Sequence, residues 1–229
     1  MNWQPLIVIK GAAAHLARSN VDTDTIIRIE RLTSLRRNEM GPYALEVLRF
    51  RSDGSEDPDF VFNQPAFRGA PILLAEANFG CGSSREAAVW ALQGMGIRCI
   101  IAPSFGDIFF SNCFQNGLLP IRLPASEMLE LAASCVDGAP LNVDLEQCVI
   151  TMQSGQTVNF AVDVQRREGL LKGLDDIGLT LKDEELIRAW QQADRLRRPW
   201  AWAVETQVFP AVYRTRAILA LAPISSSKV

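Results

Sequence analysis

The chain of 229 residues is poor in the side chains that most often carry proton transfer and metal binding, with one histidine, two tyrosines and five cysteines. A serine–histidine–aspartate triad or a histidine-rich zinc site would have to be built around the single His15. The cysteines, at positions 81, 99, 113, 135 and 148, are far apart and form no C-x-x-C or ferredoxin-like spacing, so the chain is not expected to hold a metal cluster by itself. Their odd number, and the lack of a charged segment followed by an apolar stretch and cleavage site at the start, point to a reducing, cytoplasmic location. No apolar run reaches the ~18 residues of a membrane span. Excess basic charge is missing too: 23 Lys and Arg stand against 26 Asp and Glu, a net charge of -3, which argues against nucleic acid as a partner.

What remains is an ordinary globular composition, 48% hydrophobic and 21% charged, long enough to bury a core without disulfides. Residues 6–9 read as a strand, and the acidic turn N-V-D-T-D follows at 20–24. A basic segment at 28–37 reads as exposed, 44–50 as a short helix and 52–58 as a loop rich in turn residues. The apolar run 72–75, a glycine-rich loop at 78–84, an alanine-rich helix at 85–93 stopped by Gly94 and Gly96, and a second apolar run at 97–102 form a βαβ unit with parallel strands. A helix at 104–116 and a strand at 118–123 extend it. Beyond Pro124 the pattern changes to a helix at 126–134, three strands at 141–145, 148–152 and 157–162, the last two joined as a hairpin at Ser154-Gly155, and a helix at 183–194. The expected fold class is therefore α/β, a parallel central sheet with an added antiparallel layer.

The stretch N-F-G-C-G-S-S-R-E at 78–86 follows a buried strand and opens a helix, where open α/β sheets place their ligands. Glycines allow close backbone approach there, and free N–H groups at a helix start attract anions by about 0.3–1 kcal/mol. Ser83, Ser84 and Arg85 add two hydroxyls and a forked cation suited to a carboxylate or phosphate. The loop is no dinucleotide fingerprint, nucleophile elbow or P-loop. The same residues also suit a helix cap in which Ser83 or Ser84 only satisfies orphan N–H groups, and local physics leaves both readings open.

Four motifs, N-V-D-T-D-x-I-I, N-F-G-C-G-S-S-R-E, I-A-P-S-F-x-D-I-F and G-L-D-D-I-G-L-T-L, occur in this order, and together they resemble the small subunits of 3-isopropylmalate dehydratase, which correspond to the swivelling domain of the aconitase superfamily. The resemblance implies a swivelling β/β/α three-layer domain over residues 1–193 and leaves 194–229 as a C-terminal extension. It implies a hydro-lyase that interconverts 2- and 3-isopropylmalate in leucine biosynthesis and works only with a large subunit. That partner carries the [4Fe-4S] cluster, one iron of which acts as Lewis acid on the hydroxyl of the small dicarboxylate substrate. By the same resemblance Ser83 is the base, Ser84 and Arg85 hold the substrate carboxylate, Asp24 approaches the active site, and Arg37 belongs to a mobile recognition loop. Asp22 is expected to serve as a turn or cap, and Cys81 as a small packed residue.

The chain departs from the family pattern at three places. Ala87 stands where histidine is usual, Arg28 where proline is usual, and the recognition loop reads R-N-E-M-G, adding Glu39. The changed loop opens the alternative of a related hydratase acting on citraconate, maleate or another short dicarboxylate; a separate alternative is a non-catalytic anion-binding module that kept the fold after losing its partner, against which the retention of Ser83, Ser84 and Arg85 speaks.

Overall fold

The computed structural model describes residues 4–82 and 85–202. Its centre is one seven-stranded sheet in the order β4-β3-β2-β1-β5-β6-β7. The strands are β1 (Val8–Leu16), β2 (Ile72–Ala75), β3 (Cys99–Ala102), β4 (Leu119–Arg122), β5 (Pro140–Asp144), β6 (Val149–Thr151) and β7 (Thr157–Asn159). β1 to β4 pair in parallel, and β5 to β7 continue from β1 in antiparallel fashion.

Every residue of β2 and β3 is buried, because a parallel strand covered on both faces must be apolar throughout. Leu73, Ala75, Ile100 and Ala102 face one core, shared with helices α1 (Thr23–Ile26), α4 (Glu86–Met95) and α5 (Asp107–Gln115). Ile72, Leu74, Cys99 and Ile101 face a second core, where they meet Leu141, Val143, Ile150 and Val158 of the antiparallel strands. β5 alternates buried Leu141 and Val143 with half-buried neighbours, as expected of a strand covered on one face. The sheet thus curls over on itself, giving helix, parallel and antiparallel layers. Helix α6 (Ala125–Ser134) closes the second core with Met128 and Leu131, and α7 (Val164–Lys172) adds Leu170.

β1 is the hinge of this plan and is longer than the expected strand at 6–9. Residues 8–12 pair with β5, and 13–16 with β2. Its small residues have low strand propensity, yet Ala13 and Ala14 are fully buried, and a side chain on Gly11 would come within 2.6 Å of Pro71. Tertiary crowding, which local propensity does not report, decides the strand.

Gly94 likewise does not stop α4. The helix continues to Met95 and ends at Gly96, whose φ of 111° is the left-handed cap. Gly94 lies inside because its backbone packs directly on that of Gly41, in the turn Gly41–Tyr43. Between α1 and that turn lie α2 (Ile29–Ser34) and the turn Arg37–Glu39, and α3 (Glu46–Arg49) follows. After α7 come α8 (Asp176–Thr180) and α9 (Glu184–Arg197).

The chain divides into two compact units, Met1–Lys182 and Asp183–Val229. In the second, α9 is one continuous helix across positions 193 and 194, where the sequence pattern places a boundary. Arg198 grips Asp194 at 2.7 and 2.9 Å beyond the end of that helix. Of the extension, only residues up to 202 are described.

A side chain on Gly41 would overlap the backbone of Gly94, which cannot rotate away. Gly41→Ala should therefore destabilise the chain by about 1–3 kcal/mol in urea unfolding; an unchanged midpoint would contradict the packing described.

Candidate active site

Three loops meet at the carboxyl ends of the parallel strands. N-V-D-T-D follows β1, N-F-G-C-G follows β2 and P-S-F-G-D follows β3. The middle loop is laced to both neighbours by backbone hydrogen bonds. Gly80 N–H donates to Val21 C=O at 2.7 Å, and Thr23 N–H to Cys81 C=O at 3.0 Å. On the other side Phe79 N–H donates to Ser104 C=O at 3.1 Å, and Gly106 N–H to Phe79 C=O at 2.9 Å. The Asn78 amide adds a side-chain bond to Asn20 at 2.8 Å, and Ser104 Oγ accepts from Asn78 N–H at 2.8 Å.

This lacing explains the glycines. Gly80 has φ +70°, and a Cβ there would overlap the Phe109 ring. A Cβ on Gly106 would reach 2.5 Å from the Gly80 carbonyl oxygen. Phe79 and Phe109 meet edge to face beneath the loop, their centroids 5.5 Å apart, so an aromatic floor carries the bend.

Asp22 serves as the expected cap. Its carboxylate accepts from Thr25 N–H at 2.7 Å at the start of α1, and the hydrogen bonding from Thr25 holds its pKa below the ordinary range. Asp24, one step further, points away from that cap and forms an ion pair with Arg85, which lies 61 positions on. Arg85 occupies the extended position before α4 and leaves its guanidinium to Asp24. The Arg85 side chain is 18% exposed and that of Asp24 52%. A pair this open to water contributes about 0–1 kcal/mol.

Ser83 and Ser84 lie outside the described residues. The structure brings Asp24 and Arg85 together but not Arg37. The chain from 23 to 43 runs along α4, so the Arg37 guanidinium lies 5.2 Å from the Trp90 ring and 3.4 Å from Gln93 Oε1, on later turns of the helix. Glu39, which alters the recognition loop, accepts from Arg36 N–H at 2.7 Å, and Arg28 is bound to Glu30. Ala87 is buried in the core beside α4's other alanines. The G-L-D-D-I-G segment is a turn between helices: Gly173, φ +67°, ends α7, and Asp175 caps α8 through Gly178 N–H at 2.7 Å. His15 pairs with Glu76 at 2.9 Å.

One supporting residue escapes a reading of the sequence. Asn116 is 3% exposed, accepts from Trp90 Nε1 at 2.9 Å, and donates to Glu86 Oε1 at 2.7 Å and Asn112 C=O at 2.9 Å. It thereby fixes the first turn of α4, on which Arg85 is mounted. Its only sequence signal is an asparagine before Gly117 at a helix end, which reads as a cap.

Two of the five cysteines are unsuited to a cluster. Cys99 and Cys113 are sealed in the core, where burial pushes their thiols up and disfavours the thiolate a metal needs. Among the described residues, no group of three His, Cys, Asp or Glu side chains could hold a metal ion.

Two outcomes follow. Asp24→Asn should leave stability within about 1 kcal/mol of the parent in urea unfolding, since its ion pair is exposed; a loss above ~2 kcal/mol would mean that the pair is structural. The depressed pKa of Asp22 makes its capping contribution fully present above the ordinary value of 3.8 and lost as the pH falls through the lower folded value. An NMR titration of its carboxyl carbon should give a midpoint below 3.8, and a midpoint at or above it would remove the cap.

Comparison with known proteins shows the family of the chain. Residues 3–126 match the aconitase C-terminal domain family, and residues 176–201 match the family of C-terminal domains of the 3-isopropylmalate dehydratase small subunit. The 3-isopropylmalate dehydratase small subunit of Rhodospirillum centenum is 52% identical over 196 residues, covering 85% of this chain and 97% of that protein. That of Paramagnetospirillum magneticum is 50% identical, covering 84% and 96%. The crystal structure of a 3-isopropylmalate dehydratase from Methanocaldococcus jannaschii superposes with a TM-score of 0.59 at 29% identity, covering 81% of this chain and 99% of that one. The chain belongs to the 3-isopropylmalate dehydratase small-subunit family, in the aconitase superfamily.

Proposed function

We propose that this chain is the small subunit of a 3-isopropylmalate dehydratase, a hydro-lyase that interconverts 2-isopropylmalate and 3-isopropylmalate in leucine biosynthesis and acts in the cytoplasm with a large subunit. The observation that carries the reading is the Arg85–Asp24 pair at the laced glycine loop, a forked cation presented beside a helix start and held only by an exchangeable carboxylate.

In this reading Arg85, with the Ser84 hydroxyl, binds one carboxylate of the diacid through a two-pronged contact. Asp24 keeps the guanidinium oriented until substrate arrives. Ser83 Oγ takes the proton from the carbon beside that carboxylate. A hydroxyl is a weak base in water, so its deprotonated form needs the N–H groups at the start of α4 and the positive charge of Arg85 in a closed site. The proton returns from the same atom when water is added back at the neighbouring carbon. Arg37 rests on Trp90 and Gln93, apart from this pair, and would join the substrate only if its loop moved in the complex. Activation of the departing hydroxyl lies outside this chain, on the cluster-bearing large subunit, in keeping with cysteines that do not suit a metal.

The test uses the complex reconstituted with its large subunit. Ser83→Ala should lower kcat by about 10²–10⁴-fold with the fold retained. Arg85→Lys should act mainly on KM, raising it by roughly tenfold or more, because the ammonium cannot make the paired contact. Wild-type turnover in Ser83→Ala would remove the base assignment, and activity on citraconate with none on 2-isopropylmalate would remove the substrate.

A further inference from the structure

At the opposite end of the parallel strands lies a cavity of about 910 Å³, within the range of small-molecule sites. Its walls come from the start of β1, the Arg36–Arg37 segment, the last turn of α4, and the residues just before β3 and β4. Among the described residues that line it, four are cations, Lys10, Arg36, Arg37 and Arg98, and none is a carboxylate.

This is unusual for the molecule. The chain carries a net charge of -3, and several arginines elsewhere sit on carboxylates: Arg31 on Glu46, Arg51 on Asp57, Arg68 on Glu56. Among the described residues Lys10, Arg36 and Arg98 form no ion pair. Gathering like charges around a concavity is unfavourable unless an anion fills it.

Two of the cations are also held in place. Arg98 Nη1 donates to the carbonyls of Gln93 and Ile97, both at 3.1 Å, which anchors the guanidinium at the end of α4. Arg37 rests against Trp90 and Gln93. Fixed guanidinium groups lose less freedom on binding than mobile ones. Trp90 and the half-exposed Val8 supply apolar wall beside them.

We propose that this cavity is a second binding site, separate from the glycine loop, for a small anion of two or more negative charges, carried on phosphate or on several carboxylates. Four cations from three chain segments converge on one hollow, an arrangement suited to a compact, multiply charged ligand.

Calorimetric titration of the full chain at low salt tests this, with pyrophosphate and tricarballylate as probes. The expected result is saturable binding of one equivalent, weakened by added salt and at least about tenfold by Lys10→Gln combined with Arg36→Gln. These two side chains are exposed and unpaired, so the double variant should melt at the parent temperature. Binding should survive Arg85→Gln, which keeps this outcome distinct from any failure of the catalytic assignment. The tighter probe tells phosphate from carboxylate. No saturable binding of either probe below about millimolar, binding unaltered in the double variant, binding lost in Arg85→Gln, or binding of poly-glutamate alone would each overturn the proposal.

Discussion

The backbone lacing of three loops is the constraint on which the rest depends. Neither Asp24 nor Arg85 is placed by its own element alone, since α1 has four residues and Arg85 stands before the first turn of α4. The bonds from Gly80 to Val21 and from Thr23 to Cys81 bring the two residues into register. Those bonds need a backbone free of side chains at Gly80 and Gly106, which in turn lets Phe109 rise against the loop. The parallel sheet beneath supplies the common edge from which all three loops leave.

Charge placement follows a different logic from packing. Most ion pairs of the chain join neighbours on the surface and add little to stability. Hydrogen bonds from Lys172 and Lys182 hold the pKa of half-buried Glu168 down to about 2, yet this only ties α7 to the segment after α8. The Arg85–Asp24 pair differs in joining two loops across 61 positions, with one partner half exposed, so that it holds the direction of the guanidinium without sealing it from water. At the other end of α4, cations gather with no carboxylate among the described residues of the wall.

Much of this is legible in the amino-acid order, and the exceptions have physical causes. The run Ile72–Ala75 reads as a strand because parallel strands buried on both faces are apolar throughout. β1 is hidden because Gly11 and the alanines after it are chosen for close approach to Pro71 and β5, not for strand propensity. Helix α7 has only Gly169 and Leu170 buried, so its periodicity is too faint to announce it. Gly94 resembles a stop until its contact with Gly41 is known. At the site, the glycine loop and the cap at Asp22 are local and readable. The meeting of Asp24 with Arg85 depends on loops joined across 61 positions, so only the motif resemblance points to it. Arg37 lies apart from that pair, on later turns of α4, because the path of residues 23–43 along the helix is set by tertiary packing.

The most direct measurement is a crystal structure of the complex reconstituted with its large subunit and 2-isopropylmalate. The account predicts that the Arg85 guanidinium has exchanged Asp24 for a substrate carboxylate, with the Gly80–Val21 and Thr23–Cys81 bonds unbroken. A diacid bound away from residues 78–86, with Arg85 still on Asp24, would contradict it.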